Sequence, residues 1–361
     1  MTDNKYQKSI LYTLLFFAVI VASFIMKELS SVFLPIIISI LLAIVFYPVL
    51  RKMHDKIKLP WLIGVFIILI ILIAGIGSIS TLLSKSMGTI FSEYPKYEIR
   101  LMSIFEKIAL HLNLKFEKEK SFIENIWGIL QVREFIQKAA LSLSSGIVSS
   151  VRTVFVFLLM FTFLLIELGS FSEKINAAFE GDSRSAILGI SSQIILDVTR
   201  YLSIKFFISL ATGILVYIGV AIVGLDFPVV WGFFAFIMNF IPTFGSIIST
   251  VITTLFALLQ FYPGWGKIIY ILILLVTVNF VLGNIIEPRI EGKHLGLSPF
   301  AILISLSVWG WIWGFIGMIL AVPMTVIIKI ICKNIPELHK VAIFLGNNTE
   351  ETKKDLSAKI K

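Results

Sequence analysis

The chain has 361 residues, 58% of them hydrophobic and only 15% charged, with a mean hydropathy of +0.97. A soluble domain is nearer 45–50% apolar and about 25% charged, and a chain this short cannot hide the excess in one aqueous core, which excludes a soluble enzyme. The net charge of +9 gathers at the ends of apolar runs and in the C-terminal tail, a distribution that suits lipid headgroups and argues against nucleic acid as a partner.

Two further classes drop out on residue types. The single cysteine, Cys332, allows no internal disulfide and no thiolate metal cluster. The four histidines, His54, His111, His294 and His339, form no ligand pair, so no metal site and no cofactor are expected. No GxxxxGK[ST] loop, GxSxG elbow or HExxH motif occurs, so nothing points to nucleotide hydrolysis or to an enzyme.

A membrane-spanning helix needs about 20 apolar residues. Ser9 to Met26 and Leu29 to Leu50 meet that need, the first as a retained anchor rather than a cleaved signal. Arg51 to Lys58 carries four cations against one acid and is expected in the cytoplasm, which places the N-terminus there too. Pro60 to Leu83 makes a third span. Ser84 to Gly146 then departs from the pattern, with mixed charge and apolar residues at helical spacing, Leu101, Ile104, Phe105, Ile108 and Leu112 on one face and Phe135, Ile136, Ala139, Ala140 and Leu143 on another. That spacing predicts amphipathic helices in an extracytoplasmic module, serving as a cap or as a ligand sensor. Ile147 to Leu168 returns inside as a fourth span. Gly169 to Arg200 reads as a cytoplasmic amphipathic helix, Lys205 can snorkel, and Phe206 to Gly224 is a fifth span with Gly213 and Gly219 suited to close contact.

The regularity then breaks. Val229 to Phe261 and Ser298 to Cys332 are apolar runs of 33 and 35 residues, and either would reach about 50 Å as one rod, well beyond a core of about 30 Å. Each carries breakers near its middle, Asn239 to Ser246 in the first and Trp309 to Gly317 in the second. Two architectures fit: re-entrant hairpins entering from opposite faces as an inverted repeat, or single tilted or kinked spans. Between the runs, Ile268 to Ile286 is an ordinary sixth span. The expected fold is thus an all-α polytopic membrane protein of about eight membrane segments, two of them re-entrant or broken helical hairpins, plus the small amphipathic module. Its layout is a three-span region over 1–83, the extracytoplasmic module over 84–146, a fourth span over 147–168, a cytoplasmic helical segment over 169–205, a transport core over 206–332 and a basic cytoplasmic tail over 333–361.

Candidate binding residues cluster at the first break. Pro242 frees a backbone carbonyl, and Asn239, Thr243 and Ser246 add polar side chains beside Gly245, which suits a cation or polar solute; a plain proline kink is the simpler alternative. On the sixth span Asn279, Asn284 and Glu287 fall within an arc of about 140°. Polar groups at that depth face a bundle interior or a pathway. Glu287, followed by Arg289, is the candidate coupling carboxylate, its alternative being an interfacial ion pair at the helix end. Gly310, Gly314, Gly317 and Pro323 are the candidate hairpin and gating positions of the second run. Trp309, Trp311 and Trp313 read as packing and interfacial residues, and Asp226 as a solvated loop acid.

Three blocks carry a resemblance: Asn239-Phe240-Ile241-Pro242-Thr243-Phe244-Gly245, then Glu287-Pro288-Arg289 through Leu297-Ser298-Pro299, then Trp309-Gly310-Trp311 through Ala321-Val322-Pro323. In order, spacing and residues the second half resembles the autoinducer-2 exporter family, with Ser246 a mild departure. The resemblance implies a multi-pass transporter of the bacterial plasma membrane; the charge bias places both termini in the cytoplasm, and the absence of a nucleotide-binding loop points to an ion gradient as the driving force. The resemblance also implies export of a small polar solute or exchange of Na+, Li+ or H+, and a homo-oligomer such as a pentamer. A passive channel and a non-transporting membrane scaffold are the competing functions.

Overall fold

The computed structural model describes residues 3–111, 132–291 and 296–347, and Leu112, the segment after Glu291 through Leu295, and the end of the tail lie outside them. Among the described residues the regular structure is helical, with one isolated bridge between Leu297 and Gly346, and seven of their helices are long and apolar enough to cross a membrane. The protein is an all-α polytopic membrane protein. In chain order the helices are α1 Asp3–Glu28, α2 Ser30–Ile57, α3 Trp61–His111, α4 Val132–Ala178, α5 Gly181–Val223, α6 Pro228–Met238, α7 Phe244–Phe261 and α8 Trp265–Asn279. A π-helical turn, Phe280–Ile286, links α8 to the short α9 Glu287–Glu291, and α10 Pro299–Asn334 and α11 His339–Leu345 complete the chain with a 3-10 turn between them.

Several helices are longer than the sequence pattern suggests. Trp61 to His111 is one unbroken helix, so the third apolar run continues into the amphipathic stretch without a turn. The segment Gly169 to Arg200 is not one helix: its start belongs to α4, which ends at Ala178, and from Gly181 it is continuous with the fifth apolar run in α5. Alpha-helical hydrogen bonding needs no change of polarity to stop; it needs a breaker or a cap, and neither stretch has one at the polarity boundary.

The chain divides into two compact units. In the unit made of residues 70–155 and 204–290, a core of Ile208, Val216, Val220, Leu225, Ala235, Ala257, Ile271, Leu275, Val278 and Leu282 joins the end of α5 to α6, α7, α8 and the π turn. Close approach is built on glycine: a Cβ at Gly213 would lie 2.8 Å from the Gly232 carbonyl oxygen, and one at Gly219 would lie 2.2 Å from Leu274. In this unit the first overlong run folds back on itself. Trp231 and Phe256, which a straight helix would separate by about 37 Å, have ring centroids 4.9 Å apart. Gln260 reaches back to accept from the Asp226 backbone N–H at 2.8 Å and donates to the Gly224 carbonyl at 2.9 Å. These pairs are symmetric about Pro242 and Thr243, so α6 and α7 form an antiparallel helical hairpin.

The other unit comprises residues 1–69, 156–203 and 291–361, and it holds the second run. Ser305 hydrogen-bonds Thr325 and donates to the Ala321 carbonyl at 2.9 Å; along a rod the two hydroxyls would be about 30 Å apart. Within α10 the helix is broken at Trp313 (φ −125°, ψ 17°) and Gly314 (φ 60°, ψ −138°), a backbone that glycine supplies at no steric cost. The contacts are symmetric about that break. The second run is a helical hairpin as well.

Both hairpins turn by the same device. A Cβ at Gly245 would stand 1.7 Å from the Met238 carbonyl oxygen, and one at Gly317 would stand 1.9 Å from that of Trp309. Each returning helix thus begins with a glycine pressed against the last carbonyls of the outgoing helix, and a side chain there would prise the arms apart.

Candidate functional site

The tip of the first hairpin is short and strained. The Phe244 N–H bonds the Pro242 carbonyl at 2.6 Å around Thr243, whose φ of 62° and ψ of −56° make a γ-turn. This conformation is unfavourable for a β-branched residue and is usually found where a surrounding structure imposes it. Thr243 itself is exposed, and its carbonyl accepts from Ser246 Oγ at 2.9 Å and from the Ile247 N–H at 3.3 Å. The Met238 carbonyl is taken by the Ile241 N–H at 3.0 Å.

Beside the tip runs a buried polar track along one face of α5. Asn239 donates to Ser209 Oγ at 3.0 Å, and both side chains are buried. One helical turn before Ser209, on the same face, stands Lys205. Its ammonium lies 2.6 Å from Glu287 Oε1, and the two side chains are only 5% and 13% exposed. Two opposite charges so withdrawn from water hold each other there, since either one alone would be an uncompensated buried charge. One turn beyond Ser209 in the other direction is Thr212, also buried, its hydroxyl donating to the Ile208 carbonyl at 2.9 Å.

Across the hairpin, α7 presents Gly245, Ser249, Thr253, Ala257 and Gln260 on its buried face. The hydroxyls of Ser249, Thr253 and Thr254 have no hydrogen-bond partner among the described residues, and such orphans are costly at this depth. Thr250 is satisfied by Asn279, which donates to it at 3.1 Å. The π turn begins directly after Asn279 and ends directly before Glu287. Insertions of this kind concentrate at functional sites, and here the extra register separates the sixth run's polar residues: Glu287 faces Lys205, while Asn284 is exposed. Arg289 is exposed too.

The structure therefore places Asn239 and Glu287 along one face of α5 through Ser209 and Lys205, ties Asn279 to α7, and leaves Asn284 and Arg289 at the surface. Lys205, Ser209, Thr212, Ser249 and Thr253 lay beyond sequence reasoning. A hydroxyl at every fourth residue of α7 was the available signal, hidden because serine and threonine in apolar helices usually bond their own backbone.

At its other end the same hairpin is clasped by α3 past Ile90. Lys96 Nζ lies 2.9 Å from Asp226 Oδ2, the Tyr97 hydroxyl donates to the same oxygen, and Arg100 donates to the Gln260 carbonyl. Tyr97 packs 5.1 Å from Phe256 and 5.9 Å from Phe227. Asp226 is thus a held carboxylate, not a solvated one. Burial pushes its pKa up, but the hydrogen bonds from Tyr97 and Lys96 outweigh burial and leave it below the ordinary aspartate value.

In the other unit, the second tip docks on the end of α1. Trp313 Nε1 donates to the Met26 carbonyl at 3.0 Å, one of the last carbonyls of a helix that ends at Glu28. Trp311 meets Phe24 edge-on at 5.2 Å, with the Lys27 ammonium 4.2 Å from its ring centre. Gly310 stands against Met318, Gly314 is exposed at the turn, and Pro323 is buried in the returning arm.

Residues 13–337 match the profile of a family described as AI-2E family transporter. A protein of Borreliella burgdorferi, named provisionally for transport, is 33% identical over 341 residues, which is 94% of this chain and 91% of that one. The AI-2 transport protein TqsA of Escherichia coli is 25% identical over 89% of this chain and 91% of its own length. YhhT of the same organism, also provisionally named for transport, is 28% identical over 86% of this chain and 88% of its own.

Proposed function

We propose that this chain, which belongs to the AI-2E transporter family, is an ion-gradient-driven secondary carrier that exports a small polar solute or a monovalent cation by alternating access. Membrane transport is the family's business; the coupling and the passenger are our reading. The single observation that carries it is the buried track Glu287, Lys205, Ser209 and Asn239 leading to the unwound tip of a folded-back helix. Exposed backbone and ionic groups at membrane depth are tolerated where they line a pathway. A structural helix pair has no use for three orphan hydroxyls at the same depth. In this reading both hairpins are re-entrant, Gly310, Gly314, Gly317 and Pro323 shape the second gate, and Asn239, Pro242, Thr243, Gly245, Ser246 and Asn279 form the binding tip.

The carrier sits in the bacterial plasma membrane as a homo-oligomer, with both termini in the cytoplasm, the basic stretch Arg51 to Lys58 supporting that orientation. The relative named for AI-2 transport puts AI-2 first among solutes to try, with Na+, Li+ and small polyols beside it. Purified protein in liposomes should give saturable flux that collapses when the proton or sodium gradient is dissipated. Asn239→Ala should cut that flux by about tenfold while the protein still folds, since one buried hydrogen bond is worth about 1 kcal/mol. Conductance without saturation or gradient dependence would make the protein a channel instead.

A further inference from the structure

Resting on the carrier reading above, we infer that Lys205 is the proton carrier of the exchange and the internal rival of a transported monovalent cation for the Glu287 carboxylate. The ammonium and carboxylate are 2.6 Å apart and nearly sealed from water. A Na+ or Li+ ion that takes the paired oxygen of that carboxylate competes directly with the ammonium for it. The displaced lysine is then a buried side chain without its counter-charge. A buried amine with no counter-charge favours its neutral form, and lysine can adopt it.

The exchange balances. The paired ammonium and carboxylate plus one arriving cation become a neutral amine, a cation held on the carboxylate, and one proton released to water on the open side. The charge of the site is the same before and after, so it never crosses the membrane with an unpaired carboxylate. Re-protonation of Lys205 on the other side expels the cation. Arg200 lies more than a turn earlier on α5; on the facing element Arg289 and Glu291 follow Glu287, and Arg289 is exposed.

Arginine separates this role from a structural one, because a guanidinium keeps the ion pair but cannot give up its proton. Full-length protein in liposomes holding a pH-sensitive dye is given NaCl or LiCl outside, with choline chloride as control. Wild type should move protons against Na+ or Li+. Lys205→Arg should keep its unfolding temperature and lose that movement about a hundredfold, whereas wild-type exchange in Lys205→Arg would make the lysine a mere structural partner. If the variant misfolds, wild type in weakly buffered detergent decides: NaCl or LiCl should acidify the solution and do nothing to Glu287→Gln. Absence of acidification overturns the inference. A wild type that carries another solute on a proton gradient, with no response to Na+ or Li+, overturns it and spares the carrier reading. Absence of saturable flux of any kind removes both.

Discussion

At Thr253 the side chain is fully buried and its hydroxyl finds no acceptor or donor among the described residues. An apolar helix in a purely structural role gains from losing such a group, because nothing is broken and the burial penalty goes. Thr253→Val keeps the volume and the β-branch. We expect it to raise stability by about 1 kcal/mol, read as a higher unfolding midpoint in detergent, and to slow flux several-fold. Greater stability with unchanged flux would take Thr253 off the pathway. The neighbouring residues show what a sequence can and cannot say at this scale. Pro242 and Gly245 were legible because each has one backbone property that only it supplies. Thr243 reads as a side-chain ligand, yet its side chain is exposed and its backbone does the turning. A positive φ on threonine leaves no mark in composition. The partner of Glu287 was equally hidden: Lys205 is 82 positions away, and its position near the start of an apolar run suggests snorkelling until packing shows the carboxylate beside it.

Among the elements, the breaks in the two overlong runs were the most legible, since 33 or 35 residues overshoot a core of about 30 Å as one straight helix, while the choice between a hairpin and a kinked span stayed open. The π turn was not. No residue type in Phe280–Ile286 demands its i→i+5 bonding. The clasp of α3 on the first hairpin was invisible for another reason: the amphipathic spacing reads as a helix, but it names no partner for that helix, and Asp226 reads as a solvated loop acid. Lys96, Tyr97 and Arg100 of α3 hold Asp226 and Gln260, outside the membrane-spanning segments. Because Asp226 titrates below its ordinary value when folded, its contribution is present above about pH 4, the unfolded aspartate range, and is lost as pH falls through the lower folded value. Lys96 is about half exposed and the carboxylate partly so, so the effect is small. Asp226→Asn should lower stability by about 0.5–1 kcal/mol at pH 6, and the gap from wild type should close toward pH 3. A gap that stays constant across that range would show that charge at Asp226 contributes nothing to the clasp.

For the whole molecule, the proposed re-entrant fold-back and the charge bias together predict which membrane face each loop meets, and the two architectures open to the sequence differ there. The basic stretch Arg51 to Lys58 is expected inside. From it, α3 leads out, α4 in and α5 out. If the first hairpin returns to the face it entered, the turn before α8 at Gly264 stays outside, α8 comes in, and Ile290 meets the cytoplasm. If each overlong run crossed once, both sites would be reversed while the tail stayed inside, so the position of the C-terminus discriminates nothing. The chain makes the measurement simple, because replacing Cys332 with alanine leaves no cysteine at all. In that background Gly264→Cys should react with a membrane-impermeant maleimide in intact cells and Ile290→Cys only after permeabilisation, with Lys56→Cys as the inside control. Labelling of Ile290→Cys from outside, with Gly264→Cys protected, would mean that the first overlong run makes one net crossing of the bilayer. The binding tip proposed at Asn239 to Ser246 would then have no closed membrane face to open.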